Sequence, residues 1–309
     1  KMCKRFASFL EHDTLNTPAA ALADIAFTAN TGREHFDVRL AVVCNDKAGA
    51  AKKLKQLAEG IVPPGAFYSN GIKHGPKVAL LFTGQGSQYA EMGKELYEQY
   101  LPFREVMNEC AALFREETGD SLLALLWGDR TALLDQTQFT QPALFCLEYS
   151  LAQAWLGLGL KPAVMVGHSV GEYAAAVLAG IMSLNDAMRL IVARGRLMVQ
   201  LTERGDMAAL LAPIAQVNAL LPQVEGVAIA ACNAPNNTVV SGEKASIAAL
   251  IDLATQQGIE ARALTVSHAF HSPMMQPMLD AFAEVANAIE YKPAQRDIVS
   301  SVSGRLNQG

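Results

Sequence analysis

The chain has 309 residues, 51% of them hydrophobic and 18% charged, with a net charge of -5. That balance describes a globular protein with a large core, excludes a disordered chain, and offers no basic surface for nucleic acid. No apolar run approaches the roughly 18 residues that span a bilayer. Lys1-Met2-Cys3-Lys4-Arg5 leads into polar residues rather than a signal-peptide core, so a cytoplasmic location without membrane contact is expected.

The leading segment opens with a helical pattern. It continues into Val38-Arg39-Leu40-Ala41-Val42-Val43-Cys44, a strand candidate, and a helix over 47–59 whose Lys52, Lys53 and Lys55 are expected on a solvated face. The stretch 61–76 is rich in proline and glycine, which predicts irregular chain and a boundary. The apolar run 77–83 reads as a buried strand feeding the loop Gly84-Gln85-Gly86-Ser87-Gln88 and a helix over 92–99. Strand, glycine turn and helix recur at Pro162-Ala163-Val164-Met165-Val166, Gly167-His168-Ser169-Val170-Gly171 and the helical run 172–179. Alternation of this kind favours a parallel sheet covered by helices. An apolar helix over 187–201 follows. Between 206 and 265 the texture changes to short β-branched runs at 227–230 and 238–241, a helix at 244–257 and a strand at 261–266, which suggests an inserted α+β lobe. A helix over 275–289 and a strand over 298–302 complete the reading. Cys3, Cys44, Cys110, Cys146 and Cys232 are scattered without metal-ligand or disulfide spacing and are expected to be small buried residues; no metal is expected.

The chemistry concentrates at Ser169. A serine on a sharp turn between strand and helix exposes its hydroxyl at a helix N-terminus, and the Val170 amide can face an oxyanion there. The loop at 84–88 lacks the ending of a nucleotide-binding loop and reads as a second source of an oxyanion amide. An uncharged serine needs a base, usually histidine. His12, His35 and His74 lie in the leading segment or boundary loop and read as surface residues, while His168 leaves the other side of the turn and can support the pocket. His268 and His271, where the chain returns from the lobe, remain as bases. Arg189, Arg194 and Arg196 lie on an otherwise apolar helix. An inward Arg194 would bind a carboxylate through two parallel hydrogen bonds, whereas all three could equally be solvated.

Five segments, in this order, resemble those of malonyl-CoA:acyl-carrier-protein acyltransferases. They are Gly84-Gln85-Gly86-Ser87-Gln88, Thr140-Gln141-Pro142-Ala143, Gly167-His168-Ser169-Val170-Gly171-Glu172, Arg194-Gly195-Arg196 and His268-Ala269-Phe270-His271-Ser272. The resemblance covers nearly the whole chain and is greatest to the acyltransferase domain of a modular type I polyketide synthase. Asp24-Ile25-Ala26-Phe27-Thr28 and Gly32-Arg33-Glu34-His35 are similar to the linker that follows the ketosynthase. The resemblance implies an α/β-hydrolase-like parallel sheet covered by helices, with an inserted small ferredoxin-like α+β subdomain and an N-terminal α/β linker domain. The expected bounds are 1–75 for the linker, 76–205 and 266–309 for the large subdomain, and 206–265 for the small one.

By the same resemblance Ser169 is the nucleophile and His271 the base, forming a dyad. Gln85 and Val170 supply the oxyanion amides and Arg194 holds the malonyl carboxylate. Gln141, His168, Asn233, His268 and Phe270 line the site. His268-Ala269-Phe270-His271 is similar to the malonyl-selecting form of a motif whose methylmalonyl form has Tyr, Ala, Ser and His. Malonyl-CoA, an acyl carrier protein with its phosphopantetheine arm and a neighbouring ketosynthase are the implied partners, and no cofactor is implied. Ser301 stands where the family usually has Asn, in the strand whose carbonyl orients the histidine. Family chains also continue beyond the position of Gly309 to complete the sheet. An α/β serine esterase or thioesterase, and a non-catalytic docking module of a megasynthase, remain as alternatives.

Overall fold

The computed structural model describes residues 1–12, 21–71, 75–201, 204–264, 266 and 268–307. The chain divides into two compact units, 1–77 and 78–309. His74 lies outside the described residues, and the strand expected over 261–266 runs across one that does.

The first unit contains α1 (Met2–His12), α2 (Leu22–Thr31), β1 (Val38–Val42), α3 (Lys47–Ala58) and β2 (Ala66–Asn70). The Asp46 carboxylate accepts from the Gly49 amide and starts α3 there. A small core of Leu10, Ala50 and Ala51 joins α1 to α3. β1 and β2 pair antiparallel from Val38 opposite Asn70 to Val42 opposite Ala66. The strand β2 corrects the expectation of irregular chain over 61–76. Pro63, Pro64 and Gly65 make the turn, but Ala66-Phe67-Tyr68 then supplies extended backbone with a neighbour to pair with. The lysine face needs correction too, because half-buried Lys53 donates to the Val43 carbonyl at 2.7 Å. Lys55 pairs with Glu11 at 2.5 Å, while Lys52 is exposed. His12 and His35 are exposed as expected.

The second unit begins with β3 (Val78–Phe82), followed by α4 (Lys94–Gln99), α5 (Leu101–Thr118), α6 (Leu122–Trp127) and α7 (Thr137–Gly157). Next come β4 (Pro162–Gly167), α8 (Gly171–Leu178) and α9 (Leu184–Gln200), the last started by Ser183, whose hydroxyl accepts from the Asp186 amide. After the lobe the chain returns through a 3-10 turn at Pro273–Met278, α12 (Leu279–Asn287) and β9 (Ile298–Val299). The three strands form a parallel sheet in the order β3-β4-β9. Its core is built from Phe103, Met107 and Phe114 of α5, Phe145 of α7, Met165 of β4, Ala174 and Ala175 of α8, and Met188 and Ile191 of α9.

The lobe runs β5 (Gly205–Leu210), α10 (Ile214–Leu220), β6 (Val227–Ala234), β7 (Asn237–Glu243), α11 (Lys244–Gln256) and β8 (Ala261–Leu264). Its sheet is antiparallel in the order β6-β7-β5-β8, the ferredoxin-like βαββαβ arrangement. Ala208, Leu210, Val217, Val240, Ile247 and Leu250 form a core of its own.

Three expectations over the second unit are corrected. The single helix over 275–289 is instead the 3-10 turn and then α12, because Pro277 inside that turn has no amide to donate. The strand over 298–302 is two residues long, and the backbone turns at Ser301. Cys232 is exposed and Cys3 and Cys44 are half-buried; only Cys110 and Cys146 are buried. Among the described residues no helix is long and apolar enough to cross a membrane.

Candidate active site

Parallel strands place their C-terminal ends side by side, so three loops meet at one edge of the sheet: 83–85 after β3, 168–170 after β4, and 300–301 after β9. The central loop is the tightest. Ser169 has φ 49°, left-handed backbone that a residue with a Cβ adopts only when its surroundings impose it. The two glycines of the turn show what imposes it. A Cβ at Gly167 would lie 2.2 Å from the Glu172 amide nitrogen, and one at Gly171 would lie 2.5 Å from the Thr83 carbonyl oxygen. With those Cβ atoms absent, α8 starts directly against β3. The His168 amide donates to the Phe82 carbonyl at 2.9 Å and fixes the turn to the neighbouring strand. Ser169 therefore sits at the N-terminus of α8 with its hydroxyl outward.

His271 arrives from the loop after the lobe, itself at φ 59°, and its Nε2 lies 3.0 Å from the Ser169 hydroxyl. Partial burial lowers its pKa below the ordinary histidine value, and the neighbouring Arg194 and then His168 lower it further. The imidazole is thereby kept neutral and able to accept a proton. His268, the other histidine of the segment, is buried with its ring 6.0 Å from that of Phe270. Burial lowers its pKa first, and Arg204 second. Phe270 is buried in an apolar cluster with Met198, Met207, Val239, Met275 and Met278.

The acidic residue after the turn, Glu172, accepts from the Ser301 amide at 3.1 Å and from the Ser301 hydroxyl at 2.6 Å. The expected arrangement, in which the strand bearing Ser301 orients His271 through a carbonyl, is not found among the described residues. Because β9 ends at Val299, Ser301 turns back to the start of α8. Among the described residues the only hydrogen bond of the His271 ring is the one to Ser169.

Arg194 lies on α9, beside α7. Gly195 makes this possible, since a Cβ there would lie 2.8 Å from the Gln138 Cα. The Arg194 Nη1 donates to Gln141 Oε1 at 2.5 Å, and among the described residues no carboxylate pairs with it. Burial lowers its pKa, with Tyr173 opposing. A desolvated guanidinium with donors to spare and no counter-ion is a site for a carboxylate. Arg189 is drawn off toward Glu117, 4.0 Å away, and Arg196 is exposed, so one arginine of the three faces inward.

On the far side, the amides of Gln85 and Val170 donate to no described residue. The Gln85 side chain accepts from the Thr137 hydroxyl at 2.8 Å. Gly84 packs on the turn, where a Cβ would lie 2.6 Å from His168 Nδ1. His168 also reaches the lobe, its Nε2 lying 3.0 Å from Asn233 Oδ1. The residues singled out from the sequence are thus brought into separate contacts: Ser169 with His271, Arg194 with Gln141, His168 with Asn233, and Phe270 with His268.

Two further residues were not singled out. Thr137 is buried one turn before Gln141, and Glu148, also buried, lies seven positions after it, both on α7. Glu148 Oε1 accepts from the Thr83 amide and the Thr83 hydroxyl, each at 2.6 Å, at the root of the loop carrying Gln85. Burial pushes the Glu148 pKa up to about 7 against those two bonds. Spacings of four and seven residues put polar groups on one helix face, and that was the available signal. Among the described residues no cluster of His, Cys, Asp or Glu could hold a metal ion.

A strained serine at an elbow, with a neutral histidine on its hydroxyl and two uncommitted amides in the loops beside it, is an arrangement whose chemistry suits acyl transfer. Comparison with known proteins agrees, because residues 79–309 match the acyl transferase domain family. The chain belongs to that family. The acyltransferase is 42% identical over 289 residues to the phenolphthiocerol synthesis polyketide synthase type I Pks15/1 of Mycobacterium marinum, covering 94% of this chain and 14% of that protein. Among solved structures, the acyltransferase domain from the second module of the salinomycin polyketide synthase matches with TM-score 0.83 and 36% identity, over 100% of this chain and 72% of that one. A malonyl CoA-acyl carrier protein transacylase from Clostridium perfringens matches with TM-score 0.69 and 30% identity, over 75% of this acyltransferase and 74% of that chain. Residues 1–54 match a family described as CurL-like, PKS C-terminal.

Proposed function

We propose that this acyltransferase moves a malonyl unit from malonyl-CoA to the phosphopantetheine thiol of an acyl carrier protein, in polyketide biosynthesis, through a malonyl ester on Ser169. The observation that carries the reading is the 3.0 Å contact between the Ser169 hydroxyl and His271 Nε2 at the strained turn. His271 accepts the serine proton as Oγ attacks the thioester carbonyl. The amides of Gln85 and Val170 receive the oxyanion, and the tetrahedral adduct collapses with loss of CoA, whose thiolate takes the proton from His271. The carrier thiol then gives its proton to His271 and attacks the ester, and Ser169 leaves as the alcohol. Bonds are exchanged between sulfur and oxygen without change of oxidation state, so the steps need no metal or redox cofactor. Serine and histidine act as a dyad.

Arg194 is assigned to the malonyl carboxylate, with Gln141 holding the guanidinium. An esterase or thioesterase has no use for that cation, and the name of the Clostridium perfringens relative points the same way. Phe270 and His268 are assigned to the wall that limits the acyl α-carbon, where an added methyl is worth about 1 to 3 kcal/mol. His168 and Asn233 flank the entrance. Residues 1–75 are assigned to the linker after a ketosynthase, 76–205 and 266–309 to the large subdomain and 206–265 to the small one. The match of residues 1–54 to a polyketide synthase segment supports the first assignment. A cytoplasmic location, where CoA thioesters are made, belongs to the same reading.

The test is intact-mass analysis after incubation with malonyl-CoA. A single malonyl adduct that disappears in Ser169→Ala is expected, and transfers to added carrier protein. An adduct that persists in Ser169→Ala contradicts the assignment.

A further inference from the structure

We infer that Thr137 is a positioning residue that couples the carboxylate-binding guanidinium to the oxyanion donor. The inference rests on the function proposed above and deepens it. Four side chains form one line of hydrogen bonds: Arg194 Nη1 donates to Gln141 Oε1 at 2.5 Å, Gln141 Nε2 donates to Thr137 Oγ1 at 2.8 Å, and Thr137 Oγ1 donates to Gln85 Oε1 at 2.8 Å. Thr137 and Gln141 are both buried, 2% and 0% exposed, so water does not substitute for either partner.

The line has one direction, and the cation sets it. Arginine has donors only, so it must face the carbonyl end of the Gln141 amide. The amino end then points at Thr137 and occupies a lone pair of its hydroxyl. The hydroxyl proton is left for Gln85. Each bond polarises the next, which strengthens a chain in a buried setting. Arginine presents five N–H groups, so a carboxylate can dock on the others while Nη1 stays on Gln141.

The far end of the line is where the effect falls. Gln85 sits between Gly84 and Gly86, the latter at φ 109°, in backbone with few conformational restraints of its own. Its side chain, held by Thr137, restrains the peptide whose amide faces the oxyanion. Met198 Sδ, 3.1 Å from Gln141 Nε2, is the other acceptor of that amide and does not reach Gln85. The hydroxyl of Thr137 is therefore the link between substrate selection and transition-state stabilisation.

The test is a double-mutant cycle on the full chain, read as single-turnover Ser169 loading by intact mass, with malonyl-CoA and acetyl-CoA as probes. Thr137→Val, nearly isosteric, is expected to slow malonyl loading on the order of tenfold at saturation without raising the half-saturating concentration, a fraction of the 10²–10³ loss expected from removing an oxyanion donor. Thr137→Ser, which keeps the hydroxyl, is expected to restore most of the rate. In an Arg194→Ala background the loss from Thr137→Val, read with acetyl-CoA, is expected to shrink at least threefold relative to its loss with Arg194 present. Equal losses in both backgrounds, or a Thr137→Ser variant as slow as Thr137→Val, overturn the coupling. Absence of any adduct on the unmutated chain instead contradicts the proposed function itself.

Discussion

The Ser169 turn is packed tightly against main-chain atoms, whereas His271 is an exposed residue in an otherwise buried segment and reaches Ser169 through one side-chain bond. At the turn, a Cβ at Gly167 or Gly171 would overlap main-chain atoms of Glu172 or Thr83, and the serine is held at φ 49°. On the histidine side no described residue bonds the other ring nitrogen. Ser169 is thus placed by the fold itself, and His271 by the return of the chain from the lobe. The difference separates what the protein needs for folding from what it needs for chemistry.

The largest effect should come from breaking the first side. Gly167→Ala places a Cβ on the Glu172 backbone, and a loss above about 4 kcal/mol of stability is expected, seen as lost cooperative unfolding in a thermal melt. Breaking the second side should separate the two properties. His271→Ala is expected to lower the rate of Ser169 loading by about 10² to 10⁴ while changing the unfolding midpoint little, because the residue is partly exposed and its ring makes one hydrogen bond. A large drop in stability for His271→Ala would erase the contrast.

Glu148 sharpens the comparison from beneath the oxyanion loop. Its pKa is raised in the folded state to about 7, from an ordinary value of about 4.3 when unfolded. The folded protein therefore holds that proton more tightly. The stabilisation is complete below about pH 4 and is lost as pH rises to about 7, in total roughly 4 kcal/mol. Urea unfolding at pH 5 and pH 8 should show this decline in the unmutated chain and not in Glu148→Gln. A decline of equal size in both would place its origin elsewhere.

The smallest effect concerns His271. With its pKa lowered, loading should rise with pH below the ordinary histidine value and level off above it. Because Arg194 is the second cause of that lowering after burial, Arg194→Ala should move the rise to higher pH by a fraction of a unit, read with acetyl-CoA. No movement would mean the two groups do not sense each other.

The turn was legible in the sequence because its causes are local: a strand run, two glycines four positions apart and a helix run within about twenty residues. The α+β character of the lobe was legible from its change in texture, although the ferredoxin-like order came only with the resemblance. Helix α7 was not assigned from periodicity. It is buried on most sides, from Thr137 through Ala152, so its pattern shows little of the one-sided apolar stripe that marks a surface helix. Thr137 and Glu148 were missed for a related reason, since their partners lie 52 and 65 positions away. The Ser301 contact went unread because a side-chain pair joining the start of α8 to the end of β9 leaves no local signature.

The most direct measurement is a competition between malonyl-CoA and acetyl-CoA for Ser169, read by peptide mass on the unmutated chain and on Arg194→Ala. The account predicts that malonyl dominates on the unmutated chain, and that Arg194→Ala reverses the preference, with malonyl loading falling far more than acetyl loading. Equal loss of both acyl groups in Arg194→Ala, or modification at a residue other than Ser169, would contradict it.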